Sequence, residues 1–188
     1  MVTMKKYKDS GLSPSEKLCI DCGLCCTGYL FTYAGLDDEE IPGAYSLGLP
    51  IDTLEKPGER YFELPCPLWN GKCPVYADVR KPKVCGVYKC NFLRTLEAGE
   101  TDLEQALKTI NATKKMITEF KQGLPETQNR NFCLELLPYL DALERAGIHC
   151  DSEGDQYLLL AGMILAQYSR QFGVSQLFTN RRKYLSSE

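Results

Sequence analysis

The sequence predicts an irregular α+β fold, in which a cysteine-rich half with short strands packs against a C-terminal bundle of about four helices. Eight of the ten cysteines lie between residues 19 and 90, where few apolar stretches are periodic. From about residue 101 the apolar residues instead recur with the 3.6-residue period of helices. No low-complexity linker separates the two halves, so we expect one domain over 1–188, with a cysteine-cluster region at 16–95 and a helical region at 100–186.

Composition and charge restrict the classes of function. The 188 residues are 44% hydrophobic and 25% charged, a balance typical of a globular protein. The net charge of −3 gives none of the basic surface that nucleic-acid binding needs. The N-terminal residues lack the apolar segment of a signal peptide, and the longest apolar run, at 157–166, is about half the roughly 20 residues that cross a bilayer. We therefore expect a cytoplasmic protein with neither a membrane nor a nucleic-acid partner.

The cysteine content indicates metal binding. A reducing cytosol keeps thiols free, and free thiols that cluster in a sequence are more typical of metal ligands than of disulfides. Thiolates are soft ligands that suit zinc and iron–sulfur clusters. The predicted metal ligands are Cys19, Cys22, Cys25, Cys26, Cys66, Cys73, Cys85 and Cys90.

The first group of these cysteines forms a C-x2-C-x2-C-C run over residues 19–26. A two-residue gap lets a tight turn bring two thiolates onto one ion, as in zinc knuckles, and Gly23 suits a turn with positive φ. Three cysteines at successive two-residue gaps also begin the run that holds a [4Fe–4S] cluster in bacterial ferredoxins. Tyr29 stands where that run has its fourth cysteine, so zinc and an iron–sulfur cluster remain alternatives.

Cys25 and Cys26 are adjacent, which bears on the number of metal sites. Successive side chains of an extended chain point to opposite faces, so these two thiols are poorly placed to serve one tetrahedral ion. Two neighbouring sites or one polynuclear cluster would explain the pair. A disulfide between adjacent cysteines would be rare and strained.

The remaining cysteines follow in two pairs. Asn70-Gly71 is a strong turn signal, and it is expected to fold Cys66 back toward Cys73 as a metal knuckle. Basic residues in or beside these segments either offset the charge of the thiolates or form an ordinary solvated surface. They are Arg60, Lys72, Arg80, Lys81, Lys83 and Lys89.

The run Cys19-Ile20-Asp21-Cys22-Gly23-Leu24-Cys25-Cys26 resembles the opening signature of the YkgJ-type cysteine-cluster proteins, a family of zinc- or iron-chelating domains. The later cysteines resemble its second half, which has a C-P pair, a glycine–cysteine turn followed by a tyrosine, and a C-x4-C pair. The resemblance covers residues 16–95. Two departures are present, because the family's adjacent R-P is Arg80-Lys81-Pro82 here and its arginine after the next cysteine is Gly86.

This resemblance implies that the protein chelates zinc or iron. The flagellin lysine-N-methylase has a similar cysteine set that is associated with an iron–sulfur cluster, and it implies a second possibility, an enzyme that modifies a protein or peptide.

Four helices are predicted in the second half. Thr101-x-x-Glu104 is a capping-box pattern, and Gly123 is expected to end the first helix. The second helix is expected at 128–146. The third, at 155–172, is apolar nearly all round and is expected to be buried, and a fourth is expected at 175–185.

Two cysteines lie outside the cluster. Cys133 falls among apolar residues and is expected to be a small buried hydrophobe. Cys150 follows His149, the only histidine, in a predicted loop without a functional role. The aromatic residues at 29–33 suit a buried strand beside the cluster, and the acidic residues at 37–39 suit the start of a short helix.

Two functions are consistent with the sequence. In the first, the cysteines hold zinc and the helical half binds a protein or peptide partner. In the second, four cysteines hold an iron–sulfur cluster and groups such as Tyr33 or Asp21 face a protein or peptide substrate. The chain has no nucleophile-elbow, phosphate-loop or dinucleotide motif, so no catalytic residue is assigned and whether the protein is an enzyme stays open.

Overall fold

The computed structural model describes residues 11–53, 60–123, 131–136, 139 and 155–173. Helices and one small antiparallel sheet make up an irregular α+β fold, as the sequence predicts. The three strands are β1 (Tyr33–Leu36), β2 (Asp52–Thr53) and β3 (Arg60–Glu63). The helices are α1 (Pro14–Cys22), α2 (Ile41–Ser46), α3 (Val84–Val87), α4 (Asn91–Glu97), α5 (Leu103–Gln122) and α6 (Asp155–Gln167), and residues 132–136 are also helical.

The sheet has the order β1-β3-β2, with both neighbouring pairs antiparallel. Ala34 lies opposite Phe62 in the register of β1 and β3, and side chains alternate between the two faces of a strand. One face of β1 is therefore buried and the other exposed. The buried face forms a small core of Ala34, Leu36, Ala44, Leu49, Phe62 and Leu64.

Helix α1 is defined at both ends by its sequence. Ser13 caps the N-terminus in a reciprocal capping box with Glu16, and Pro14 occupies the first helical position, where its missing N–H has no helical partner to lose. Gly23 ends the helix with a φ of 65°, a left-handed conformation that glycine adopts without a steric penalty. The chain therefore reverses directly after Cys22.

The first helix of the second half begins one residue later than its sequence pattern suggests. Asp102, not Thr101, is the N-cap of α5, and its carboxylate accepts a hydrogen bond of 2.7 Å from the N–H of Gln105. An aspartate is as good an N-cap as threonine and adds a favourable charge at the helix N-terminus. Gly123 ends the helix, as predicted.

Helix α6 and the π-helical turn that continues it at Tyr168–Phe172 match the predicted third helix in extent, but they are not buried all round. Ala161 and Ile164 are fully buried, whereas Leu159 and Met163 are about half exposed. The predicted helix at 128–146 is described only at 131–136 and 139, where 131 is not helical and the other residues are, and the one at 175–185 lies outside the described residues. None of the described helices is long and apolar enough to span a membrane.

A larger core joins the two halves of the chain. Helix α1 packs against α4 and α5, and α5 packs against α6. The side-chain amide of Asn131 adds a polar link, because its Nδ2 donates to the carbonyl oxygens of Phe31 and Leu64 at 3.0 Å each. The buried members of this core are Leu18, Leu24, Leu30, Phe92, Leu93, Ala106, Ile110, Ile117, Phe120, Phe132, Leu136, Ala161, Ile164, Tyr168 and Phe172.

Candidate metal centre

All eight cysteines that the sequence predicts as ligands line one cavity of about 240 Å³. The cavity lies between the larger core and the core of the sheet, and the rest of its wall is mostly aliphatic and aromatic. No disulfide links these cysteines. Segments that are up to 71 positions apart in the sequence, from Cys19 to Cys90, thus bring their thiols to a shared space.

The C-x2-C-x2-C-C run forms one wall of the cavity. Cys19 and Cys22 lie in the last turn of α1, three residues apart and therefore on one face of the helix. After the reversal at Gly23, residues 24–28 form a turn in which the N–H of Thr27 donates to the carbonyl oxygen of Gly23 at 2.8 Å. Cys25 and Cys26 stand in this turn, so the extended backbone expected for this pair is wrong.

Gly23 also allows a close contact with the only tryptophan. A Cβ at position 23 would lie 2.7 Å from Cε2 of Trp69, and closer still to Cζ2 and Cη2. The indole therefore packs on the face of Gly23 that has no side chain. Because Trp69 belongs to the loop between Cys66 and Cys73, this contact joins the first cysteine group to the second.

The loop from Cys66 to Cys73 is held beside the first group by the main chain. The N–H of Cys66 donates to the carbonyl oxygen of Cys26 at 2.7 Å, and the N–H of Trp69 donates back to the carbonyl oxygen of Cys66 at 3.0 Å. Gly71 has a φ of 98°, as the Asn70-Gly71 signal predicts for a turn. The described residues of this loop are turns and bends without flanking strands, so the predicted knuckle is a loop and not a β-hairpin.

The last two cysteines flank a short connection between the sheet and the helices. Cys85 lies in α3, which contacts β1, and it is the most exposed of the eight. Cys90 directly precedes the first turn of α4. Tyr88 lies between them, lines the cavity, and donates its hydroxyl to the carbonyl oxygen of Phe172 at 2.7 Å.

Burial in this cavity opposes ionisation of the thiols. It raises the pKa of Cys19 to about 11 and that of Cys22 to about 12, because a charged sulfur loses its hydration there. The pKa of Cys85, although this residue is the most exposed of the eight, is also raised, by partial loss of hydration and by repulsion from Cys66 and Cys73. At neutral pH these groups are thiols until a cation displaces their protons.

Some backbone amides favour the thiolate form in spite of burial. Burial raises the pKa of Cys66, while the N–H groups of Leu68 and Trp69 lower it. Burial likewise raises the pKa of Cys90, and the N–H groups of Leu93 and Phe92 act against it. Amide hydrogen bonds to sulfur are a usual feature of thiolate-bound metals and tune their properties.

Among the described residues that line the cavity, Lys81 is the one cation. It is among the lining residues, and its Nζ lies 4.0 Å from the centroid of the Tyr76 ring, a cation–π contact. Its charge lowers the pKa of Cys19, Cys73 and Cys85, each of which burial raises more strongly. Lys81 thus stands where it can offset negative charge on thiolates from all three cysteine groups.

The other cations that the sequence singles out have partners outside the cavity. Lys72 pairs with Asp21 at 3.4 Å, and Lys83 pairs with Asp37 and Glu39. These exposed ion pairs correspond to the solvated surface that the sequence left as an alternative. In addition, Arg60 donates to Thr53, Arg80 pairs with Asp78 and Lys89 pairs with Glu97.

The donor set of the cavity fits a soft metal, because its described lining contains eight thiols and no histidine or carboxylate. Across the residues that the structure describes, no three cysteine, histidine, aspartate or glutamate side chains are gathered around a single point as the ligands of one ion are. The thiols surround a volume instead. Cysteine has a single side-chain torsion, χ1, and a change in its rotamer moves the sulfur without moving the backbone.

The residues that the sequence placed outside the cluster are only partly described. Cys133 is buried, does not line the cavity, and donates its thiol to the carbonyl oxygen of Tyr29 at 3.2 Å. It is thus a buried residue apart from the cluster, as predicted, with a structural hydrogen bond in addition. Cys150 and His149 lie outside the described residues. The acidic run begins a 3-10 turn at Asp38–Glu40, as predicted, whereas β1 starts only at Tyr33, at the end of the predicted strand.

The sequence places the aromatic run at 29–33 beside the cluster, and Phe31 of this run lines the cavity. Sequence patterns did not reveal the rest of the aromatic wall, which includes Tyr76, Tyr88, Phe172 and Trp69. Of these four, only Trp69 carries a signal, its position between two cysteines. Of the two candidate substrate-facing groups, Tyr33 lines the cavity, whereas Asp21 pairs with Lys72 and is not among the described lining residues.

No family model, no curated protein and no solved structure matches this chain. Its function is therefore inferred from the side chains that the fold brings together.

Proposed function

We propose that this protein binds metal through the clustered thiolates of the cavity, as zinc or as an iron–sulfur cluster. The observation that carries the proposal is the convergence of all eight predicted ligands on one cavity. Thiols that served only as small hydrophobes would have no reason to gather from three groups in the sequence. Cys133 illustrates that alternative, because it is buried apart from the other cysteines.

The energetics of burial also favour a bound cation. Several polarizable sulfurs line the same cavity. Burial is the largest cause that raises the pKa of Cys25, and Cys22, Cys26 and Cys90 raise it further. Eight thiols in this cavity stabilise one another only weakly. A soft metal gives them strong bonds, and structural zinc contributes on the order of 10–16 kcal/mol per site in small peptides.

The test is metal analysis of the full chain purified without oxygen and without added metal. Stoichiometric zinc in a colourless protein, or iron and sulfide in a brown one that absorbs near about 400 nm, would support the proposal. The Cys133→Ala variant is the matched control, because it removes a buried thiol outside the cavity and should keep the full metal content. Protein that is folded, reduced and free of both zinc and iron would refute metal binding.

An iron–sulfur enzyme that acts on a protein or peptide is the second candidate. Tyr33 favours it, because this side chain lines the cavity and is 39% exposed, so it stands at a surface that a substrate can reach. A brown protein would support this candidate, and a colourless protein with stoichiometric zinc would exclude it. With iron present, Tyr33→Phe should leave the iron content unchanged, and any loss of binding to a peptide substrate would then come from the hydroxyl.

A further inference from the structure

We propose that the cavity holds two separate four-thiolate metal sites, divided between the adjacent cysteines of the first group. The helix-side site consists of Cys19, Cys22, Cys25 and Cys90, and the sheet-side site consists of Cys26, Cys66, Cys73 and Cys85. This partition rests on the proposed function, because it assigns ligands to the metals that the function requires.

The helix-side site is assembled by the packing of α4 on α1. Cys19 and Cys22 share one face at the end of α1, and the turn after Gly23 returns Cys25 to the same region. Because α4 contacts α1, Cys90 at its start is brought to that face. All four of these cysteines pack against the larger core.

The sheet-side site is assembled around the main chain of Cys26. The hydrogen bond from the N–H of Cys66 to the carbonyl oxygen of Cys26 holds the two residues together. Cys66 packs against the core of the sheet, and Val84, the neighbour of Cys85, packs against the same core. Cys73 ends the same loop as Cys66, after the turn at Gly71, and lines the cavity with it.

Cys25 and Cys26 mark the boundary between the sites. Both lie in the turn at 24–28, where Cys25 packs on the larger core while Cys26 is tied to Cys66. One tetrahedral ion would need both sulfurs on the same side of the turn. Two sites need only that the adjacent side chains diverge, and the packing of Cys25 on the larger core leaves Cys26 to the second site.

Each set of four thiols suits one zinc ion or one [4Fe–4S] cluster. For zinc, every ion displaces four thiol protons to solvent and leaves a site with a charge of −2. Lys81 lines the cavity that both sets share, so its positive charge would partly offset the negative charge of the two sites.

The first test uses the full-length protein with the metal it carries when isolated. Metal is removed in steps with EDTA, or with an iron chelator if the protein holds iron, and each sample is treated with N-ethylmaleimide. Peptide mass spectrometry then locates the labelled thiols. We expect that, at half removal, the four thiols of one set are labelled and the four of the other are protected. Labelling of Cys25 and Cys26 in the same step, or release of all eight thiols together, would overturn the partition.

The second test counts metal in serine variants. Cys25→Ser and Cys26→Ser should each retain about half the metal of the parent, and so should the double variant Cys25→Ser/Cys90→Ser. The double variant Cys25→Ser/Cys26→Ser should retain almost none, and the control Cys133→Ala should retain all of it. Equal retention by the two double variants would overturn the partition.

The outcomes also separate this inference from the proposed function. A parent protein without metal would refute the proposed function itself. A parent protein with metal whose thiols do not divide into these two sets would refute the partition alone. If a variant does not fold, the labelling of the unmodified protein still decides, because it needs no substitution.

Discussion

The contact between Gly23 and Trp69 can be tested by adding one methyl group. In Gly23→Ala, the new Cβ would overlap the indole of Trp69, and the residue would have to keep a φ of 65°. An L-residue in the left-handed region costs about 1–2 kcal/mol, and overpacking of a close contact costs a further ~1–3 kcal/mol. We therefore expect Gly23→Ala to lower the free energy of unfolding by roughly 2–5 kcal/mol.

Gly99→Ala separates the two contributions. Gly99 has a φ of 71°, nearly that of Gly23, but a Cβ there would meet nothing within 4 Å. This control should therefore lose only the backbone contribution of about 1–2 kcal/mol. The difference between the two variants measures the contact with the indole.

Urea unfolding of the metal-loaded protein, followed by far-ultraviolet circular dichroism, gives both values. With a slope of about 2 kcal/mol per molar urea, the midpoint of Gly23→Ala should lie roughly 0.5–1.5 M below that of Gly99→Ala. Because Trp69 is the only tryptophan, its emission should shift in Gly23→Ala and not in Gly99→Ala. Equal midpoints together with unchanged emission would show that the indole does not pack on Gly23.

Three further predictions concern charge and packing at the cavity. Lys81→Met should weaken metal retention by about fivefold, or ~1 kcal/mol, as measured by competition with a coloured chelator. The control Lys83→Met loses only exposed ion pairs and should not weaken it. Equal effects of the two variants would show that Lys81 has no special role. Burial raises the pKa of Cys19 to about 11 and of Cys22 to about 12, so zinc binding by four such thiols should release about four protons per ion and should strengthen as the pH rises from 6 to about 9. Calorimetry in buffers of different ionisation enthalpy measures the number of protons released. A value near zero would mean that the thiols are ionised before binding. Cys133→Ala should lower the free energy of unfolding by about 1 kcal/mol through loss of its bond to Tyr29 and leave the metal content unchanged; a loss of metal would mean that Cys133 is a ligand.

Local signals in the sequence predicted the elements that depend on neighbouring residues. Gly23 and Gly71 are in turns with positive φ, as their spacing among cysteines and next to asparagine indicates. Gly123 ends α5, and the eight clustered cysteines line one cavity while Cys133 does not. These features follow from backbone geometry over a few residues or from composition, both of which can be read directly from a sequence.

Features that depend on distant residues could not be predicted in the same way. The exposure of Leu159 and Met163 follows from what packs on α6, not from the apolar sequence of that helix. The choice of Asp102 over Thr101 as N-cap depends on where the chain enters the helix. Similarly, Lys81 differs from its neighbours Arg80 and Lys83 only because those two find partners on the surface, whereas Lys81 lines the cavity.

The position of the cavity between two unequal cores determines what a metal would do for the fold. The larger core joins α1, α4, α5 and α6 through many buried side chains, whereas the core of the sheet has six buried residues and includes a two-residue strand. A sheet of this size has little stability of its own, and Cys26, Cys66, Cys73 and Cys85 stand where it meets the helices. Loss of metal should therefore release the sheet first and leave α5 and α6 folded. Hydrogen exchange of the demetallated protein should show early loss of protection at β1 and β3, with α5 still protected; equal loss in both regions would mean that the metal supports the whole molecule.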